Sequence, residues 1–118
     1  MTEIETIELA RAYVALSNAH RNELIVPLFA DDAVYSSSAV GEFHGPAAIG
    51  EMMRGFFTRY PDVSWSCENY SCSCRRVSFD FSLQATDAET GERLQRSGVE
   101  HISYDDRGLI KKLEVMAL

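Results

Sequence analysis

The sequence predicts an α+β domain in which an antiparallel sheet is covered on one face by helices. Three observations predict it. Apolar residues recur at helical spacing through residues 4–16 and 49–60, and from Val63 onward the period changes to two. Turn residues then divide the second half of the chain into segments of strand length.

Thr2 followed three residues later by Glu5 is a capping-box pattern, so the first helix is predicted to start there and to run to about Asn18. Ile4, Ile7 and Val14 beside Leu9, Tyr13 and Leu16 supply its apolar surface. A second helix is predicted around Glu23 to Phe29. It must be short or bent, because Pro27 removes an amide donor and crowds the preceding turn. Ala30-Asp31-Asp32 reads as its end, and extended chain follows to His44, interrupted by Ser36, Ser37 and Ser38.

Gly45-Pro46 opens a third helix, with proline in the first turn where its missing N–H removes no bond. Ile49, Met53, Phe56, Phe57 and Tyr60 form its stripe, and Pro61-Asp62 stops it. VSWSC, VSFDFSLQA and RLQRSGVEHISY then read as strands. TDAETGE is a hairpin turn between the last two, and DDRG is another before LIKKLEV.

With 118 residues, 46% of them hydrophobic, the chain is expected to form one domain over residues 1–118. Its first residues, MTEIETIELARAY, are acidic where a secretory signal would be basic, and no apolar run approaches the roughly 18 residues of a membrane span. A soluble, cytoplasmic protein with no membrane partner is expected. The net charge of −7 would repel a phosphate backbone, so no nucleic-acid partner is expected either. Cys67, Cys72 and Cys74, in C-x4-C-x-C spacing, do not make a paired zinc pattern with His20, His44 and His101. They read as ordinary thiols in strands, with no metal and no cofactor expected. Asn69-Tyr70-Ser71 matches a glycosylation acceptor, which carries no weight without a secretion signal.

RAYVALSNA, FADDAVY, FHGPAAI, YPDV and GVEHISYDDRGLIKKLEV, taken in order and spacing over nearly the whole chain, resemble the nuclear transport factor 2-like superfamily. Within it the likeness is to the SnoaL-like polyketide cyclase and ketosteroid isomerase branches. The resemblance implies a cystatin-like α+β barrel: a curved antiparallel sheet wrapped into a cone by three N-terminal helices, with an apolar pocket inside. It also implies a homodimer through the outer face of the sheet.

Ketosteroid isomerases use a tyrosine in the first helix, a carboxylic acid followed by histidine in the penultimate strand, and an aspartate base after the FADD-type segment. By that resemblance Tyr13 and Glu100 match the first two, with glutamate in place of aspartate. Ser37 stands where the base belongs. A serine hydroxyl cannot accept a proton from carbon without help, so Ser37 argues against the isomerase reaction as the family performs it. Glu42 and His44, flanking Phe43, are the substitute bases within reach of the cone's mouth.

Alternation places Leu94, Arg96, Gly98, Glu100, Ile102 and Tyr104 on one face of their strand, and neither face is plainly the core. If the even face looks inward, desolvation would favour a neutral Glu100 able to donate to a ligand oxygen. The established example of that effect is ketosteroid isomerase itself. Val77, Phe79, Phe81, Leu83 and Ala85 should line the pocket floor, leaving Asp80 outside. The residues expected around the ligand are Phe56, Trp65, Phe79, Phe81, Leu113 and Val115. Glu114 should point outward, and Val99 and Met116 should lie on the outer face. Arg96 and Glu100 invite comparison with the charged set of limonene-epoxide hydrolases, but Gly98 occupies the place of an acid in that set. Three functions fit: an enzyme on a small carbonyl, steroid-like or polyketide-like compound, a pocket that binds such a ligand without turnover, and an association module.

Overall fold

The computed structural model describes residues 1–118. Thr2 Oγ1 accepts from the Glu5 N–H at 3.1 Å and the Thr2 N–H donates to Glu5 Oε1 at 2.8 Å, so α1 (Glu3–Asn18) begins with a complete capping box. Its buried stripe is Thr6, Ala10, Tyr13 and Ser17. Of the expected apolar surface, Ile7, Leu9, Val14 and Leu16 pack half-buried against the core beside Tyr13, and only Ile4, in the first turn, is exposed, at 76%. Pro27 shortens the next helix as predicted. α2 covers Asn22–Ile25, and Val26–Leu28 tighten into a 3-10 turn.

β1 (Phe29–Ser37) starts earlier than expected, so Asp31 and Asp32 belong to a strand and not to a helix end. They fall where the register of β1 shifts, which lets both acids stay exposed between buried Ala30 and Ala33. β2 (Gly41–His44) folds back on β1, and α3 (Gly45–Arg59) follows directly, burying Ile49, Gly50 and Met53. β3 (Ser64–Ser73), β4 (Arg76–Thr86), β5 (Arg93–Tyr104) and β6 (Ile110–Ala117) complete the curved sheet in the order β2-β1-β6-β5-β4-β3. The sheet is antiparallel except at one place. β1 and β6 run parallel, because the hairpin strand β2 occupies one edge of β1 and the last strand closes the other.

The register lays inward-facing side chains in rows across the strands. One row reads Ser37, Val115, Glu100, Phe79, a second Tyr35, Leu113, Ile102, Val77, and a third Arg96, Leu83, Trp65. Ile25, Ile49, Ile102, Ile110 and Leu113 are fully buried beneath the helices, each contributing roughly 1.5–3 kcal/mol. The free edge of β3 is covered by the end of α1. Asn18 Nδ2 donates to the Trp65 carbonyl at 3.0 Å, the Trp65 N–H donates to Asn18 Oδ1 at 2.7 Å, and His20 Nε2 lies 2.9 Å from the Val63 carbonyl. These bonds satisfy edge groups that would otherwise be open to another strand.

Candidate functional site

The three serines have separate tasks. Ser36 pairs with Glu114 on the outer side of the sheet. Ser38 Oγ accepts from the Ala117 N–H at 2.9 Å, tying the end of β1 to the end of β6. Ser37 is buried, and its Oγ accepts from the N–H groups of Ala39 and Val40 at 3.2 and 3.3 Å. It therefore closes the β1–β2 turn as a small side chain able to replace a backbone acceptor. Its own proton stays free to donate elsewhere.

Inside the cone, α1, α3 and the inner face of the sheet enclose a cavity of about 60 Å³. Tyr13, Ser37 and Glu100 all face it, together with Phe56, Trp65, Phe81 and Val115. Phe79 and Leu113 do not. Phe79 lies beyond Glu100 in its row, stacked on Tyr70 at 4.8 Å, and Leu113 sits fully buried between Tyr35 and Ile102. Both are core residues one layer away from the cavity. The even face of β5 looks inward, and Glu100 is 5% exposed.

Sequence reasoning missed Tyr35, although Ala33, Tyr35 and Ser37 alternate on one face of β1 and could have revealed it. It also set Arg96 aside. Both line the cavity, as do Met52 and Phe57 from α3. Glu42 and His44 do not reach it: both are exposed and pair with each other at 3.1 Å. Their strand is at the sheet edge, where both side chains stand in water and not in the cone. Asp80 lies on the outer face, where its Oδ2 accepts from Asn69 Nδ2 at 2.7 Å.

Burial alone acts on Glu100, raising its carboxyl from an ordinary 4.5 to about 8, so the acid is mainly neutral at pH 7. Burial also pushes the Tyr13 phenol well above 10, with further upward pressure from Tyr35 and Glu100. Tyr35 moves the same way for the same first reason, opposed by the positive charge of Arg96. Two phenols and a protonated acid in apolar walls form a set of donors aimed at one space. Glu100 is the only carboxyl in the wall. Ser37 and Glu100 share a row with one strand between them, which separates their backbones by roughly 10 Å. Such an arrangement can hold and polarise an oxygen, while the wall offers no ionised carboxylate to take a proton from carbon.

The profile of a family described as SnoaL-like domain matches residues 10–113. Among solved structures, the epoxide hydrolase/cyclase-like enzyme SalBIII, from pyran ring formation in the polyether salinomycin, superimposes with a TM-score of 0.86 at 18% identity, covering 97% of this chain and 91% of that one. A protein from Bacillus subtilis provisionally named an isomerase gives 0.85 at 20% identity, covering 100% and 90%. An uncharacterized cystatin fold protein from Novosphingobium aromaticivorans gives 0.77 at 19% identity, covering 92% and 95%. A search among curated proteins finds no match. At these identities the likeness shows the fold alone.

Proposed function

The chain belongs to the SnoaL-like domain family, and from that premise we propose that its cone binds a small carbonyl or phenolic compound whose oxygen is held by Tyr13 and neutral Glu100. The observation that carries this reading is the meeting of an apolar cavity with several donors and no ionised acid. The cavity's size narrows the ligand. At about 60 Å³ the cavity is small for a steroid-sized guest. A compact ring or short chain fits better, helped by Met52 and Met53, whose flexible side chains adapt most readily.

Binding without turnover is the first reading, because no ionised carboxylate lines the cavity and, by the resemblance, Ser37 stands where ketosteroid isomerases carry their base. A second reading has one observation in its favour. An acid with a pKa of about 8 can deliver its proton to a ligand oxygen near neutral pH, the requirement of a ring-opening or ring-closing reaction that needs an acid more than a base.

The test uses the single tryptophan of the chain, Trp65, which stands in the cavity wall. Its fluorescence should change on titration with phenol or cyclohexenone. Glu100→Ala or Tyr13→Phe should weaken that binding by about tenfold, the equivalent of one lost hydrogen bond in a dry site. Binding should also weaken as pH rises through about 8, where Glu100 loses the proton it donates. Glu100→Gln keeps a donor that does not titrate, so its binding should be flat over the same range. Affinity indifferent to both positions and to pH would overturn the reading.

The outer face of the sheet supports assembly. Val99 is half-buried there, and Met116 is 54% exposed, an apolar surface that a second copy of the chain would cover. A homodimer is expected by light scattering at micromolar concentration. A monomeric mass would remove this expectation and leave the pocket untouched.

A further inference from the structure

Arg96 is the only one of the 11 basic residues of the chain that is not exposed. It stands in the cavity wall on β5, in the row of Leu83 and Trp65, four residues before Glu100. Eight of the others carry an acid: Arg11, Arg21, Arg59, Arg76, Arg93 and Lys112 do so within 4.0 Å, and Arg107 and Arg75 lie close enough to Asp105 to lower its pKa. Arg96 has no such partner, and the one acid on its side of the wall is neutral at pH 7. A half-buried guanidinium without a counter-charge is unfavourable unless something supplies one.

The rest of the lining points the same way. Tyr13, Tyr35, Ser37 and Glu100 each have a proton to donate, and Ser37 Oγ already accepts two backbone N–H groups. Ser17 is the exception, since it donates its proton to the Tyr13 carbonyl at 2.9 Å and has only lone pairs left. A guest for this wall must bring acceptor oxygens at two places. One is beside Tyr13 and Glu100, and the other is at Arg96, roughly 13 Å along the strand before the length of the arginine side chain is subtracted. Between them β5 has Gly98, where an added Cβ would lie 2.1 Å from the Met116 carbonyl oxygen, so no side chain can divide the two ends.

We propose that the ligand of this pocket is a small oxo acid, with its carboxylate paired to the Arg96 guanidinium and its carbonyl oxygen held by Tyr13 and Glu100. The planar fork of arginine matches a carboxylate in two parallel bonds, which a lysine at this place would not. The assignment rests on the carbonyl-pocket reading above and adds to it the second, anionic end. The protein's net charge of −7 works against anions in general. Selection for a carboxylate must therefore come from this one side chain.

The experiment compares levulinate with its methyl ester, an acid and a neutral compound of the same ketone, by Trp65 fluorescence and calorimetry at pH 7. Native protein should bind the acid more tightly than the ester by about tenfold or more, as one charge-assisted pair implies. Arg96→Gln should abolish that preference, so that acid and ester bind alike, and its circular dichroism should match that of native protein. Arg96→Lys should retain only part of the preference, and Glu100→Ala should weaken both compounds alike. An ester that binds as well as the acid, or a preference that survives Arg96→Gln, overturns the assignment and leaves the carbonyl pocket standing. If neither compound binds native protein, the carbonyl pocket falls and this assignment with it.

Discussion

Ser37→Asp is expected to create proton-transfer activity in a protein that has almost none. The substrate should be a β,γ-unsaturated cyclohexenone and not a steroid, because the cavity is about 60 Å³. In the native protein no carboxylate faces the cavity in its ionised form at pH 7, and isomerisation should stay near the solvent rate. The introduced carboxylate would take a proton from the carbon between the carbonyl and the double bond. The electrons move to the carbonyl oxygen, which Tyr13 and Glu100 stabilise by donation, and the same carboxylate returns the proton to the far carbon. A positioned general base is typically worth roughly 10²- to 10⁴-fold. The turn should survive the change, since aspartate, like serine, can accept from the N–H groups of Ala39 and Val40. Absorbance of the conjugated product measures the rate, and Ser37→Asp combined with Glu100→Ala should lose most of the gain. An inert Ser37→Asp protein that still binds cyclohexenone would show that the oxygen is held with its carbon turned away from position 37. Turnover by native protein would show a base elsewhere.

Glu100→Gln should change how stability depends on pH. The sign follows from the raised pKa: the folded state keeps a proton that the unfolded state releases. Below 4.5 both states are protonated and Glu100 has no effect. Between 4.5 and about 8 each unit of pH favours the unfolded chain by about 1.4 kcal/mol, and above that range the loss is complete. The total is on the order of a few kcal/mol, a large part of the roughly 5–15 kcal/mol that holds a domain of this size. Asp62, Asp87 and Asp105 act in the opposite sense. Hydrogen bonds to backbone groups and to Arg59 lower their pKa values, so the stability they add is lost only as pH falls below the ordinary carboxylate range. Urea denaturation at pH 5, 7 and 9 should therefore show native protein weakening with pH, and Glu100→Gln nearly level. Parallel profiles for the two proteins would mean that Glu100 is solvated in the folded state.

The fold was legible wherever one physical signal dominated. Strict alternation in VSFDFSLQA and the Thr2–Glu5 cap placed β4 and the start of α1 without ambiguity, since burial of one face and a pair of terminal bonds leave little choice. The FADD segment was misread because two adjacent acids resemble a helix end, and a register shift that lets a strand turn both outward leaves no mark in the sequence. The site was legible in its rows and not in its depth. Alternation tells which face a residue occupies, and so it turned Phe81 and Val115 inward, whereas Glu100 came from the family resemblance because neither face of β5 is plainly apolar. It cannot tell a cavity wall from the layer behind it, which is why Phe79 and Leu113 were included and Tyr35 and Arg96 left out. Those distinctions depend on which strand lies beside which, and the neighbour of β1 is almost 80 residues away in the chain.

That long-range neighbour governs the order in which the protein can be assembled. β3, β4 and β5 follow one another as a meander and can pair soon after each is made, whereas β1 has only the four-residue β2 until β6, Ile110–Ala117, has been synthesised. Loop closure over that distance is entropically slow, and it must happen before the second edge of β1 is hydrogen-bonded, although Phe29, Ala30 and Ala33 can pack earlier on α1 and α3. At a ribosomal rate of roughly 5–20 residues per second, the first strand waits for seconds with one hydrogen-bonding edge open. The polar residues Asp31, Asp32, Ser36, Ser37 and Ser38 along that strand disfavour pairing of its open edge with another strand in the interval.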